Sequence, residues 1–183
     1  MSTAHIHLLY ETEGLVGLSF GYNQNEGDSH SMTPRQAIRF LLHVASRGGN
    51  LLLNVGPDAA GNIPPVQRRC LEGMAEWIEA HGSIDGTRRV APNIAQAVGK
   101  EGGDEDIGHQ WARWLKRGNH IYAYVDSNDP KGQVRLPADW KMIDRLSAQS
   151  RGQPVRIGVD GLVDVQTLAG PLPSCITFRV YDP

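Results

Sequence analysis

Five carboxylates in the first third of the chain have the side chains needed for nucleophilic or acid–base chemistry. They are Glu11, Glu13, Glu26, Asp28 and Asp58. Glu26 and Asp28 belong to a loop with glycine and serine that follows the first predicted strand, on the edge of an α/β sheet where sites form. The alternative is that each is a solvated loop carboxylate. The sequence does not determine the distance from any of these carboxylates to a second one. It therefore assigns a catalytic role to none of the five.

The element that must position this chemistry is a short apolar run, Leu51 to Leu53 with Val55. The run has almost no alternation, which is typical of a strand covered on both faces. Gly49 and Gly56 limit it to strand length. Asn54 interrupts it, and a buried amide needs hydrogen-bond partners. Asn54 therefore either braces a neighbouring loop or faces a site.

Helices are predicted on either side of this strand. Thr33 to Gln36 has the form of a capping box with proline at the first helical position, and Gly48 suits a left-handed C-cap. A second helix opens at Pro64-Pro65 and stops near Gly82, and residues 15–20 are the first predicted strand. Strand, helix, strand, helix predicts a parallel α/β architecture. A complete eightfold barrel takes roughly 250 residues, or about 31 for each βα unit, so this α/β stretch has room for only about two units. Either another chain supplies the other units or this piece is adapted in some other way.

The second half changes to the two-residue periodicity of strands. Strands are predicted at residues 111–115, 120–125, 133–136, 155–159, 162–167 and 176–181, after a polar, glycine-rich loop at residues 97–108. Turns are predicted at Gly118-Asn119 and Asp160-Gly161. Short strands separated by turns predict an antiparallel β-sandwich. The predicted domains are residues 1–89, which are α/β, and residues 90–183, which are all-β.

Composition excludes several classes of protein. The 183 residues carry a net charge of −2, which gives no electrostatic case for nucleic acid. No apolar run of membrane-spanning length and no signal peptide are recognised, so we expect no membrane partner and take the cytoplasm as the default compartment. Cys70 and Cys175 are predicted to be unpaired, with Cys70 buried. The histidines are scattered, so neither a metal nor a cofactor is expected.

Three segments in this order resemble one enzyme family. They are Leu18 to Glu26, Gly48 to Pro65, and Trp77 to Thr87. Over about residues 11–89 the chain is similar to the α-L-fucosidases of glycoside hydrolase family 29. The resemblance implies the end of an incomplete (β/α)-barrel catalytic domain followed by an antiparallel β-sandwich, in other words the C-terminal portion of such an enzyme.

The family hydrolyses α-L-fucosides with retention, which requires two carboxyl groups about 5–5.5 Å apart. The resemblance implies an Asp nucleophile on an earlier strand and a Glu acid/base upstream of Ser19, and neither has a counterpart here. Glu11 aligns with a family Trp-Glu pair whose Trp is Tyr10 here. We therefore expect no catalytic residue in the chain and no activity without the upstream barrel. The expected partners are a fucosylated oligosaccharide or glycoconjugate, and either an upstream barrel fragment or a second copy.

One substrate-binding residue is implied by the resemblance. Phe20, in the segment Ser19 to Asn23, matches the aromatic residue that encloses the methyl group of fucose. An aromatic wall desolvates such a methyl favourably. The alternative is a core phenylalanine at a strand end.

The sandwich supplies a rival function from another class. Five aromatic residues could form a sugar-stacking platform: Trp111, Trp114, Tyr122, Tyr124 and Trp140. The chain would then be a carbohydrate-binding module or, if the rings are core, a purely structural β-sandwich from a truncated gene. Solvent exposure of these rings discriminates between the two.

Overall fold

The computed structural model describes residues 11–81, 84, 88–89, 111–126, 133–135, 143–165, 168 and 170–180. The α/β part consists of β1 (Glu11–Leu15), α1 (Pro34–Ser46), β2 (Asn50–Asn54) and α2 (Pro65–His81), with a short 3-10 turn at Asp28–His30. The remaining strands are β3 (Arg88–Arg89), β4 (Ala112–Arg117), β5 (His120–Val125), β6 (Gln133–Arg135), β7 (Ile143–Ser150), β8 (Gln153–Pro154), β9 (Leu162–Asp164) and β10 (Ser174–Val180). Among the residues so described, no helix has both the length and the apolar character needed to cross a bilayer.

β1 and β2 form a parallel pair in which Glu11 lies opposite Asn50 and Leu15 opposite Asn54. The first strand thus ends where it was expected to begin, and the prediction of a strand at residues 15–20 is wrong. The reason lies in the backbone hydrogen bonds, because the N–H groups of Leu18 and Ser19 donate to a side-chain carboxylate instead of a neighbouring strand. Leu18 is consequently 70% exposed.

Local interactions define α1 as the sequence predicts. The Thr33 N–H donates to Gln36 Oε1 at 2.9 Å and the Gln36 N–H donates to Thr33 Oγ1 at 3.3 Å, which completes the capping box. At the other end Gly48 has φ of 80°, a conformation that favours glycine. The Gly49 N–H donates to the Val44 carbonyl at 3.0 Å, which satisfies a carbonyl of the last turn.

The larger sheet is antiparallel and has six strands in the order β3-β4-β5-β10-β7-β8, while β6 and β9 form a separate antiparallel pair. The predicted hairpin at Gly118-Asn119 is confirmed, with Gly118 at φ 55°. The predicted strand at residues 155–159 is wrong, since this segment contributes only the Ile157–Val163 bridge. β7 was missed because its sequence is largely polar, with Ile143 as its one β-branched residue and no aromatic residue to indicate a strand.

Each face of the six-stranded sheet covers a hydrophobic core. Ile121, Ala123 and Val125 lie in the core shared with the β6–β9 pair, whereas Tyr124 and the half-buried Tyr122 lie against α1 and α2. The predicted alternation along β5 is therefore confirmed. Because β3 pairs with β4, Arg88 and Arg89 already belong to the second sheet; the domain boundary at residue 89 stays a prediction.

The core between the helices and the sheet also holds both cysteines. Cys70 and Cys175 are both free and buried; the sequence predicts the unpaired state of both and the burial of Cys70. Burial raises the pKa of the Cys175 thiol to about 12. Nearby, the buried Trp77 Nε1–H donates to the Pro173 carbonyl at 2.6 Å and so joins α2 to the segment that precedes β10.

A buried carboxylate also connects the six-stranded sheet to a helix, in this case α1. Asp126 follows β5, and its side chain is 0% exposed. Its Oδ2 accepts from Arg35 at 2.6 Å and from Arg39 at 2.8 Å. Arg39 also lies over the Trp111 ring at 4.6 Å, with Arg113 at 5.0 Å from the same ring. The sheet is therefore fastened to two successive turns of α1.

Replacing Asp126 with Ala should lower the free energy of unfolding by about 3 kcal/mol, because the change leaves two guanidinium groups without their carboxylate. The lower end of the range for buried pairs applies, since the arginine side chains are 38% and 31% exposed. Asp28→Ala is the matched control: it breaks the Arg69–Asp28 pair, which is 60% and 82% exposed, and should cost less than about 1 kcal/mol. Urea unfolding measures both, and equal losses would contradict a structural role for the buried pair.

A further contact, between α2 and the turn after β7, depends on the protonation of His81. Its Nδ1 lies 2.9 Å from the Trp77 carbonyl, and its Nε2 lies 3.3 Å from the Arg151 guanidinium. A neutral ring satisfies both contacts, with Nδ1–H donating and Nε2 accepting. Burial lowers the pKa of His81 from 6.5, and the charge of Arg151 lowers it further, against the opposing effect of the Trp77 carbonyl.

Stability should therefore fall as the pH falls below about 6.5, because the unfolded chain then binds a proton that the folded His81 resists. Above that pH both states hold a neutral ring and the contribution is fully present. His81→Gln should flatten this dependence in urea unfolding between about pH 5 and pH 8. His120→Gln changes a histidine outside this contact and serves as the control. An unchanged pH profile in the His81 variant would show that the contact is not linked to protonation.

Candidate functional site

The candidate site lies where β1 and β2 end. The loop after β1, at residues 16–26, and the loop after β2, at residues 55–64, leave the same edge of the parallel pair. Ligands of α/β sheets bind at the carboxyl ends of the strands. Phe20 lies in the first of these loops, and its side chain is 75% exposed.

Asn54, the last residue of β2, braces the first loop, and this alternative of the sequence analysis is confirmed. Its Nδ2 donates to the Phe20 carbonyl at 2.6 Å. Its own carbonyl accepts from the Val16 N–H at 3.0 Å. One residue thus contacts both the start of the loop and the residue implied to bind substrate.

The side chain of Glu26 binds backbone N–H groups of its own loop. Its Oε1 accepts from the Ser19 N–H at 2.8 Å and its Oε2 accepts from the Leu18 N–H at 3.2 Å. A hydrogen bond from the Ser19 side chain, followed by these backbone bonds, lowers the pKa of Glu26 despite the opposing effect of burial. A Cβ at position 17 would collide with Oε2, so Gly17 leaves the carboxylate its place. Glu26 is an ionised anchor of the loop.

The other candidate carboxylates also hold local structure. Asp58 Oδ1 accepts from the N–H groups of Asn62 and Ala60 at 2.8 and 2.9 Å, and the bonds from Asn62 are the main cause of its lowered pKa. Asp28 pairs with Arg69 at 2.5 Å. Glu11 and Glu13 are residues of β1. Sequence reasoning found these carboxylates but did not anticipate the hydrogen bonds that engage Glu26, Asp28 and Asp58.

The two loops touch through their backbones. The buried Gln67 of α2 accepts from the Gly56 N–H at 2.9 Å through its Oε1. A Cβ at position 56 would lie 2.6 Å from the carbonyl carbon and oxygen of Gly21 and 2.8 Å from the Tyr22 nitrogen. Gly56 is therefore required for this close approach, whereas the sequence pattern indicates only that it ends the predicted strand.

A polar cleft of about 300 Å³ lies beside these loops. Tyr22, Asn23 and Glu26 line it from the first loop, and Gln67 and Arg69 line it from α2. Carboxylate, amide and guanidinium groups can donate to and accept from a ligand rich in hydroxyl groups. Phe20 does not line this cleft, so the aromatic and polar surfaces are separate features of one loop.

Four large apolar residues of the first loop and of β2 are exposed. Leu18, Phe20, Tyr22 and Leu52 are 70%, 75%, 53% and 63% exposed. Leu18 is exposed in the loop after β1, whereas Leu15, Leu51 and Leu53 of the two strands are half-buried. Exposed apolar patches of this kind mark interaction surfaces.

The proposed sugar platform on the sandwich is largely absent. Trp111, Trp114 and Tyr124 are 3%, 5% and 1% exposed, and Tyr122 is half-buried. Trp140 lies outside the described residues. Rings buried in this way pack the cores and offer no face on which a sugar could stack.

Comparison with known proteins gives consistent matches. The family model for alpha-L-fucosidase matches residues 3–83. Human plasma alpha-L-fucosidase is 37% identical over 65 residues, which are 36% of this chain and 14% of that protein. Alpha-L-fucosidase isoenzyme 1 from Paenibacillus thiaminolyticus has a similar structure with a TM-score of 0.72 and 26% identity, over 94% of this chain and 40% of that one. The Thermotoga maritima alpha-fucosidase in complex with fucose gives a TM-score of 0.66 and 25% identity, over 92% and 39%.

These relatives are all glycosidases, and the sequence and structural matches agree. Residues 3–83 match the α-L-fucosidase family, and the structural similarity to solved α-L-fucosidases extends over most of the chain. It spans about 40% of the length of the solved fucosidases that it resembles.

Gly56→Ala should lower the free energy of unfolding by about 1–3 kcal/mol, because the added methyl group forces the two loops apart. Gly21→Ala is the matched control from the opposite side of the contact, since a Cβ there meets no atom within 4 Å. That control should change stability by no more than about 0.5 kcal/mol. Urea unfolding of the two variants tests the contact; a neutral Gly56→Ala would show that the loops separate at little cost.

Proposed function

We propose that this chain is the C-terminal part of a retaining α-L-fucosidase. In this proposal residues 1–89 carry the last βα units of an incomplete (β/α)-barrel, and residues 90–183 form the C-terminal β-sandwich. The completed enzyme removes terminal α-L-fucosyl residues from fucosylated oligosaccharides or glycoconjugates. The match of residues 3–83 to the α-L-fucosidase family model and the structural likeness over 94% of the chain to a solved fucosidase support this.

The observation that carries the proposal is the exposed Phe20 ring on a braced loop at the carboxyl edge of β1 and β2. The ring is exposed together with Leu18 and Tyr22 of the same loop, and grouped exposed apolar residues mark interaction sites. The 6-deoxy sugar fucose presents a methyl group that such a ring can cover. The solved relative from Thermotoga maritima is described in complex with fucose.

Retention needs a nucleophile and an acid/base about 5–5.5 Å apart. The described carboxylates near Phe20 are engaged: Glu26 binds two backbone N–H groups, Asp58 binds its own loop and Asp28 pairs with Arg69. A catalytic pair must therefore come from other barrel strands. An upstream barrel fragment that covers Leu18 and Leu52 is the partner this proposal requires, and self-association is the alternative use of the same surface.

The second candidate function is a structural β-sandwich module. The burial of Trp111, Trp114 and Tyr124 favours it over a carbohydrate-binding module. It differs from the main proposal in one respect: a purely structural chain does not restore activity to a barrel fragment.

Alone, the chain should not hydrolyse an aryl α-L-fucoside, because the described carboxylates near Phe20 are held in other contacts and offer no pair for the two displacement steps. Mixed with a polypeptide that carries the remaining barrel strands, the nucleophile and the acid/base, it should restore hydrolysis. Release of the aryl group measures both. Turnover by the purified chain above a host-protein control contradicts the first expectation, and an inactive but assembled mixture contradicts the proposed function.

In the assembled enzyme, Phe20→Ala should raise KM for the fucoside about 5- to 150-fold, which corresponds to about 1–3 kcal/mol of lost apolar contact. If the contact is equal in the ground and transition states, kcat stays nearly constant. A substrate that lacks the C6 methyl group should show a much smaller effect.

Val159→Ala is the matched control for Phe20→Ala, since Val159 is also an exposed apolar residue but lies between β8 and β9. It should leave KM for both substrates close to its original value. Equal losses on the two substrates in the Phe20 variant would identify Phe20 as a packing residue.

A further inference from the structure

We infer that Asn54 and Glu26 are positioning residues that fix the Phe20 ring for the sugar, and that this chain builds the specificity loop by itself. The inference rests on the proposed function, because it assigns Phe20 to the substrate. It goes further in naming the two side chains, one on β2 and one in the loop, that determine where the ring stands.

Asn54 fixes Phe20 from the sheet. Its backbone belongs to the parallel pair, opposite Leu15, so its position is set by the ladder of hydrogen bonds. From there its amide donates to the Phe20 carbonyl at 2.6 Å across 34 residues of sequence. Its carbonyl meanwhile binds the Val16 N–H. The segment between Val16 and Phe20 is thus tied at both ends to one residue of a strand.

Glu26 fixes the middle of the same segment. Its two carboxylate oxygens bind the N–H groups of Leu18 and Ser19, immediately before Phe20. Charge-assisted bonds of this kind are among the stronger hydrogen bonds of proteins. The Asn23 amide donates to Ser19 Oγ at 3.1 Å and so adds a further link within the loop.

These contacts hold the backbone of Phe20 while its ring stays 75% exposed. Packing of the ring therefore does not explain the bracing, whereas presentation of the ring to a ligand does. A loop that is already ordered loses less conformational entropy when substrate binds. The consequence is that disturbing Asn54 or Glu26 should weaken recognition of the methyl group even though neither side chain touches it.

The first test uses the isolated chain and does not depend on activity. The chain contains three phenylalanines, so incorporation of 4-fluorophenylalanine gives three ¹⁹F resonances, and Phe20→Leu assigns that of Phe20. Asn54→Asp keeps the size of the side chain but replaces the donor with a second acceptor facing the Phe20 carbonyl. This change should shift and sharpen the ¹⁹F resonance of Phe20 and leave the resonances of Phe40 and Phe178 unchanged. Glu26→Gln retains one acceptor and should give a smaller change.

The matched control is Asn50→Asp, at the opposite end of β2 and exposed. It should leave all three resonances unchanged. If Asn54→Asp also leaves the Phe20 resonance unchanged, the inference is overturned, whatever the activity of the enzyme.

The second test uses the assembled enzyme. Asn54→Asp should raise KM for the fucoside by up to about tenfold, the scale of one lost hydrogen bond, with little change in kcat. KM for the substrate without the C6 methyl group should barely change. Equal changes for the two substrates would overturn the inference. An inactive assembly would overturn the proposed function, and the ¹⁹F result would then decide by itself whether Asn54 positions Phe20.

Discussion

The burial of one carboxylate between the helices and the sheet is the constraint on which the rest of this structure depends. Asp126 has no exposed side-chain surface, and its charge is balanced by Arg35 and Arg39, one helical turn apart on α1. α1 also packs on β2. The orientation of the large sheet is therefore linked through α1 to β2, and through Asn54 to the loop that presents Phe20.

Interactions between near neighbours account for the parts of the fold that the sequence predicts well. The capping box at Thr33, the turn at Gly118 and the alternation along β5 each depend on residues a few positions apart. The strand expected at residues 15–20 failed because the carboxylate of Glu26, seven and eight residues further on, binds backbone groups that would otherwise pair in a sheet. The Asp126 pair joins residues 87 and 91 positions apart, a separation at which sequence patterns give no signal.

The candidate site divides in a similar way. The family resemblance implies that Phe20 binds substrate, and the structure places Phe20 in the loop after β1 with its ring exposed. The bracing role of Asn54 was one of two alternatives, because a polar residue in an apolar strand predicts a partner without identifying it. Glu26 was considered for acid–base chemistry, yet its charge serves to order a loop. Residue type alone does not separate these uses of a carboxylate; the direction of the neighbouring N–H groups does.

The protonated thiol of Cys175 has a practical consequence. Thiolates, rather than thiols, react with alkylating reagents and disulfides. With its pKa raised to about 12 and its side chain buried beneath α2, Cys175 is nearly inert in the folded chain. When the helices separate from the sheet, the thiol recovers an ordinary pKa and meets solvent. The rate at which Cys175 is alkylated therefore measures how often the helices separate from the sheet, and no probe has to be introduced into the chain.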